Sequence, residues 1–139
     1  DQLKLVDLTT FYSEDILHRL WLKVAINSCV NALTVIYNCR NGDILKLPEA
    51  LVRAEQLAVE IEQVLSAEKV VLSYPLMNSV KQVLAQTAEN YSSMYQDIKH
   101  PRMTEVDQMN GFICRKGLLH QIATPENARV LADIKAREV

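Results

Sequence analysis

Glycine and proline are scarce in this chain, three and four in 139 residues. The prolines fall between periodic stretches, which excludes short strands joined by tight turns and leaves long helices. Cysteine is sparse too. Cys29, Cys39 and Cys114 are odd in number and contain no C-x-x-C pair, which disfavours a disulfide scaffold and a structural zinc site. Such usage suits a reducing, cytoplasmic setting. No basic run is present, and 15 basic against 17 acidic residues give a net charge of −2. That charge offers no electrostatic footprint for nucleic acid or an anionic membrane. No apolar run approaches the roughly 20 residues of a membrane span, and no signal peptide heads the chain. The opening Asp1-Gln-Leu-Lys4 lacks an initiator Met, as expected of a processed chain or a piece of a longer one. What is present is 49% hydrophobic and 23% charged, enough to bury roughly 68% of the unfolded surface in one core. The expectation is a single all-α domain over residues 1–139.

Five helical stretches are predicted. The first starts at Ser13, a good N-cap followed by Glu14 and Asp15, and runs to about Asn38. Asn41-Gly42 is expected to supply left-handed backbone beyond it. A second begins at Pro48, with Leu51, Ala54, Ala58, Ile61 and Leu65 as its apolar stripe against Glu55, Glu60 and Glu62. Pro75 opens a third, with Val80, Val83, Leu84 and Thr87 running to about Ala88, and Pro101 closes the segment after it. Thr104-Glu-Val-Asp107 has capping-box spacing and predicts a fourth helix through about His120, with Gly111 inside it where a neighbouring backbone can approach. Thr124-Pro125 caps the last, whose apolar face is Ala128, Leu131, Ala132 and Ile134.

The informative feature is a polar row on the first helix. Positions four apart advance by only about 40°, so Lys23, Asn27 and Asn31 stand one above another. Apolar residues from Leu20 to Tyr37 fill nearly all the remaining circumference, so this helix is expected to be buried on several sides. A lone lysine on such a helix ordinarily snorkels to water. Two asparagines in register weigh the other way, because Asn is a poor residue in mid-helix and a solvated face carries Glu, Lys or Gln more often. A cation with two carboxamides suits a small anionic, oxygen-rich ligand. Both readings stay open on these residues alone.

A second candidate runs from Asn90 to Glu105. Ser92-Ser93 can cap a short helix and offer a hydroxyl and free N–H groups to an anion, with simple capping as the plainer account. Glu105 by itself reads as a first-turn charge. His18, His100 and His120 have no metal-ligand spacing, so no metal site is expected. The cysteines read as packed thiols, and Met77, Met94, Met103 and Met109 as core or gap filler.

Taken jointly, Trp21-Leu-Lys23-Val-Ala-Ile-Asn27-Ser-Cys-Val-Asn31-Ala-Leu-Thr34, Asn38-Cys-Arg-Asn41-Gly42, Asn90-Tyr-Ser-Ser93-Met-Tyr-Gln-Asp97 and Arg102-Met-Thr-Glu105-Val-Asp-Gln-Met-Asn110-Gly111 closely resemble the C-terminal domain of ketopantoate reductase, 2-dehydropantoate 2-reductase. Ile122-Ala-Thr-Pro125-Glu-Asn127 also fits. Ala32 departs from the proline that often follows the second asparagine in that family.

The resemblance implies an all-helical substrate-binding and catalytic domain of the 6-phosphogluconate dehydrogenase C-terminal type. Its partner would be an N-terminal Rossmann-type domain that these residues do not contain, since no strand here leads into G-x-G-x-x-G. The implied reaction is NADPH-dependent reduction of 2-dehydropantoate to pantoate, toward pantothenate and coenzyme A. Lys23 matches the catalytic lysine, Asn27 and Asn31 the substrate-side amides, and Asn90 and Ser93 the residues meeting the substrate's hydroxyl and carboxylate end. Glu105 matches the acid near the cofactor's ribose and the active centre, a catalytic and cofactor-binding role. The implied partners are a 2-keto acid and the dinucleotide-binding domain, with room for a homodimer and no nucleic acid or membrane. These residues alone are expected to be inactive. Two alternatives stand beside this: a paralogous reductase for another 2-keto acid, and a non-catalytic helical interaction or dimerisation module. A G-x-G-x-x-G turn upstream in the parent protein separates the module from the reductases.

Overall fold

A computed structural model describes the backbone of residues 2–138 and the side chains of residues 15–138. Among them there are six α-helices and no strand: α1 (Gln2–Ile36), α2 (Pro48–Ala67), α3 (Leu76–Gln86), α4 (Ser93–Lys99), α5 (Asn110–Leu119) and α6 (Pro125–Arg137). Short 3-10 helices at Asn41–Lys46 and Val106–Gln108 complete the order. The all-helical expectation holds.

Helix α1 is the axis of the fold, touching α2, α3, α4 and α6. Ala25, Cys29, Ala32 and Leu33 on α1 are fully buried, as are Ala54, Leu57 and Ile61 on α2. Alanines on both helices let their backbones approach closely. The backbone is already helical at Ser13, so that residue does not start the helix. The side chains of Ser13 and Glu14 lie outside the described residues. Nor is α1 buried along its whole length. Ile16, Leu17 and Leu20 are each about half exposed (52, 54 and 51%), and the core begins at Ala25.

Three helices end alike. Asn38, Lys69 and Gln121 have positive φ (50°, 61° and 59°), and at each the last turn closes through paired backbone bonds, as in Asn38 N–H to Val35 O at 3.1 Å and Cys39 N–H to Thr34 O at 3.0 Å. This is the Schellman termination. The left-handed residue after α1 is therefore Asn38, not Gly42. Gly42 is needed for space: a Cβ there would lie 2.5 Å from the Cβ of Ala88 and 2.8 Å from its Cα.

Other expectations are corrected. The predicted fourth helix is two pieces, because the backbone of Met109 (φ −106°, ψ −95°) breaks it between the 3-10 helix and α5. The Thr104 hydroxyl donates to Glu138 at 2.7 Å and accepts from Val106 N–H at 3.2 Å, so no capping box forms. Gly111 is approached by the side chains of Asp107, Arg115 and Leu131 rather than by backbone. Thr124 makes no side-chain cap on α6. Glu60, expected on the polar face of α2, is 8% exposed and caps α6 from across the core, accepting from Glu126 N–H at 2.9 Å and Asn127 N–H at 3.0 Å. The buried face of α6 is Asn127, Val130 and Ile134, and Ala128 and Ala132 are exposed. Met94 and Met109 are core residues, whereas Met103 is 71% exposed. The three thiols are free, and burial raises the pKa of each, that of Cys29 most clearly.

Candidate functional site

The polar row on α1 passes from an open end to a dry one. Lys23 is exposed and Asn27 half-buried, while Asn31 is 8% exposed and Thr34 fully buried. Thr34 belongs to the row because eleven residues bring it back to within about 20° of Lys23. Axially, Asn31 stands about 12 Å from Lys23 and Thr34 about 16 Å.

Two hydrogen bonds fix what the row faces. Measured around α1 from Lys23, Thr34 lies at about 20° and Ser28 at about 140°, with Asn27 and Asn31 between them at about 40° and 80°. Thr34 Oγ1 is 2.7 Å from Ser92 Oγ, the cap of α4. The carbonyl of Ser28 accepts from Asn110 Nδ2 at 2.9 Å, at the start of α5. On an ideal helix, the positions of Asn27 and Asn31 therefore fall on the arc of α1 between its contact with Ser92 and its contact with Asn110. Neither carboxamide is hydrogen-bonded to any described residue, although the buried amides of Asn110 and Asn127 are bonded to each other at 2.9 Å. The fully buried side-chain polar atoms without a partner among the described residues are instead Ser28 Oγ, Asn41 Oδ1 and Asn110 Oδ1.

The segment before α4 is pinned to the end of α1. Asn41 N–H donates to Asn90 O at 2.9 Å, Gly42 N–H to Ala88 O at 3.0 Å, and Asn41 Nδ2 to Thr87 Oγ1 at 2.9 Å. Arg40 pairs with Glu89 at 3.0 Å and covers the Tyr91 ring, which stacks on Tyr95. These contacts bring Asn90 and Ser93, both exposed, to the dry end of the row. Ser92, not Ser93, is the capping residue, since its hydroxyl accepts from Tyr95 N–H at 3.0 Å. Ser93 keeps its hydroxyl at the surface.

Glu105 lies ahead of α5. It precedes the 3-10 helix leading to α5 and is exposed, and its carboxylate is bonded to no described residue. Its neighbour Thr104 anchors it, with N–H and hydroxyl both donating to Glu138 at 2.9 and 2.7 Å. These bonds hold the Glu138 carboxyl below its usual pKa. No bond joins Lys23, Asn27, Asn31, Asn90, Ser93 and Glu105 to one another. An apolar groove lined by Leu17, Leu20, Trp21, Val24, Gln108 and Phe112 adjoins the row's open end, with the Trp21 and Phe112 ring centroids 5.1 Å apart.

Sequence reasoning missed Thr34 and Ser92 as a pair, and the network from Ser28 through Asn110 and Asn127 to Glu60. A signal existed for Thr34, which completes the Lys23 face. None existed for Glu60, whose partners are 66 and 67 residues away. Among the described residues no cluster of His, Cys, Asp and Glu is able to hold a metal, and no helix is long and apolar enough to cross a membrane.

Known proteins share this arrangement of helices. A structure of D-mandelate dehydrogenase with NADH and anilino(oxo)acetate superimposes with a TM-score of 0.81 at 29% identity, over 88% of this chain and 41% of that one. Dimeric ketopantoate reductase from Staphylococcus aureus gives 0.79 at 25% identity, over 88% and 43%. In sequence, 2-dehydropantoate 2-reductase of Yersinia pestis is 39% identical over 128 residues, 91% of this chain and 41% of that protein. The chain thus spans about two-fifths of the length of the relatives it matches. The family model for the ketopantoate reductase PanE/ApbA C terminal matches residues 15–138, so this chain belongs to the ketopantoate reductase C-terminal domain family.

Proposed function

We propose that this chain is the substrate-binding and catalytic half of a cytoplasmic NADPH-dependent 2-dehydropantoate 2-reductase, which makes pantoate for pantothenate and coenzyme A. The observation that carries this is the Lys23–Asn27–Asn31 row, a cation and two carboxamides unbonded to the described residues, on a helix whose opposite side is core.

The substrate's parts fall to different residues. Lys23 meets the ketone oxygen at the open end of the crevice. Asn27 and Asn31 orient the acid by hydrogen bonds without adding charge, and Ser93 and Asn90 receive its hydroxyl and carboxylate end. The chemistry supplied by a bound reduced nicotinamide is hydride delivery to the keto carbon. As the C=O bond becomes C–O⁻, the Lys23 ammonium stabilises the growing charge and gives it a proton from Nζ, so that ketone, hydride and proton balance to the alcohol. Exposure of Lys23 lets water restore that proton. Glu105 would meet the ribose side of the nicotinamide. The phosphates require another domain, because Gly42, Gly111 and Gly117 are each crowded by neighbours and none forms an open phosphate-cradling turn. An N-terminal dinucleotide-binding domain is therefore the partner of this chain in the parent protein, and a homodimer is compatible with it.

The test is turnover of 2-dehydropantoate by the full-length protein with NADPH and with NADH. The expected result is NADPH oxidation that falls by roughly 10²–10⁴ in kcat in Lys23→Ala with the thermal midpoint unchanged, and none by residues 1–139 alone. Near-normal turnover by Lys23→Ala overturns the role of the acid. The fold shared with D-mandelate dehydrogenase supports a second reading, a paralogue for another 2-keto acid. Turnover of a different 2-keto acid in place of 2-dehydropantoate establishes it.

A further inference from the structure

Thr34 and Ser92 are buried hydroxyls (0 and 5% exposed) on different helices, 58 residues apart in sequence and 2.7 Å apart in space. Their proton order follows from the ends of the chain they form. Tyr95 N–H only donates, so Ser92 Oγ accepts from it at 3.0 Å. The Asn31 carbonyl only accepts, so the single Thr34 proton goes there at 2.7 Å. The Ser92 proton is then the one between the hydroxyls, and the sequence Tyr95 N–H, Ser92 O–H, Thr34 O–H, Asn31 C=O is fully satisfied. Its ends are the backbone of Asn31 and the first turn of the helix that begins with Ser93.

We infer that Thr34 and Ser92 are positioning residues that set the span of the substrate crevice, by fixing the Asn31 carboxamide on α1 relative to the Ser93 hydroxyl on α4. This deepens the function proposed above and rests on it. Neither hydroxyl touches substrate. Each acts through its neighbour in sequence or on the same helix face, and a fully buried, directional chain tolerates little change of spacing.

The experiment is steady-state kinetics of the full-length reductase with 2-dehydropantoate, in a double-mutant cycle of Thr34→Val and Ser93→Ala. Thr34→Val keeps shape and removes the hydroxyl. The expected result is a KM raised about tenfold with kcat within about threefold. In the Ser93→Ala background the same change raises KM less than threefold, and Thr34→Ser restores the wild-type value. Should Thr34→Val fail to fold, Ser92→Gly serves, because glycine is an acceptable N-cap but has no hydroxyl for Thr34. An unchanged KM, or the same factor in both backgrounds, overturns the inference. The two readings fail differently. If Ser93→Ala is silent as well, the assignment of this crevice to the substrate falls with the inference, whereas a raised KM in Ser93→Ala beside a silent Thr34→Val removes the inference alone.

Discussion

On the proposed function, Asn31 is a single residue that trades stability for recognition. It is 8% exposed, and its carboxamide has no partner among the described residues, whereas leucine would fill similar space without a polar group to desolvate. Asn31→Leu is expected to stabilise the fold by up to about 1 kcal/mol while raising KM for the keto acid about tenfold or more. Thermal unfolding and steady-state kinetics on the same preparation check both halves. Lys69 shows the opposite case, strain with no side-chain hydrogen bond or ion pair to another described residue to offset it. At φ 61° its side chain costs about 1–2 kcal/mol, against about 0.5–1 kcal/mol for the freer unfolded chain of glycine. Lys69→Gly should therefore raise stability by up to about 1 kcal/mol, read as a higher urea midpoint at unchanged m-value. The left-handed positions were hidden in the sequence because Asn38, Lys69 and Gln121 occupy them where glycine is the usual signal.

At the scale of elements, most helices were legible and their junctions were not. Pro48 and Pro125 open α2 and α6 as proline at a first turn should, and the apolar spacing of α2 and α3 emerged as buried faces. The caps came from elsewhere. The amino end of α6 is satisfied by Glu60, a residue of another helix, and Asn127 Nδ2 adds a further bond to the same carboxylate at 2.8 Å. Glu60→Ala takes the acceptor from the part-buried Glu126 N–H, the buried Asn127 N–H and Asn127 Nδ2, so a loss of about 2–4 kcal/mol is expected in chemical denaturation. A loss below about 0.5 kcal/mol would show that Thr124 or water takes over. The missing capping box at Thr104 has the same origin. Thr104 is drawn toward Glu138, 34 residues on, and local capping-box spacing carries no information about so distant a competitor.

For the whole molecule, the remote ends of helices are tied by carboxylates. Glu68 at the end of α2 meets His120 and Lys116 of the α5 terminus, the lysine at 3.5 Å. The hydrogen bond from His120 leads the lowering of its pKa. Glu138 is lowered by the donors of Thr104. A carboxylate whose folded pKa is depressed contributes stability that is complete above its unfolded value and lost as pH falls through the folded one. The fold should therefore be insensitive to these groups near neutrality and lose stability below about pH 4.5. Glu68→Gln and Glu138→Gln should each flatten that acid limb in melting curves taken from pH 7 to 3. Parallel limbs in variant and wild type would remove these ties from the account. The Thr104–Glu138 tie also bears on the proposed function, since it anchors the residue next to Glu105.

Periodicity and composition were enough to specify an all-helical fold, the polar row and its place on the first helix, because these depend on the fixed 100° advance between neighbours on one chain. Packing alone decided that the row deepens from an exposed lysine to a buried threonine, that Gly42 serves a close approach rather than a turn, and that Glu60 closes a helix it does not belong to. Each of those outcomes needs partners dozens of residues away, and only burial in a shared core, where an unpaired polar group is costly, selects one partner over another.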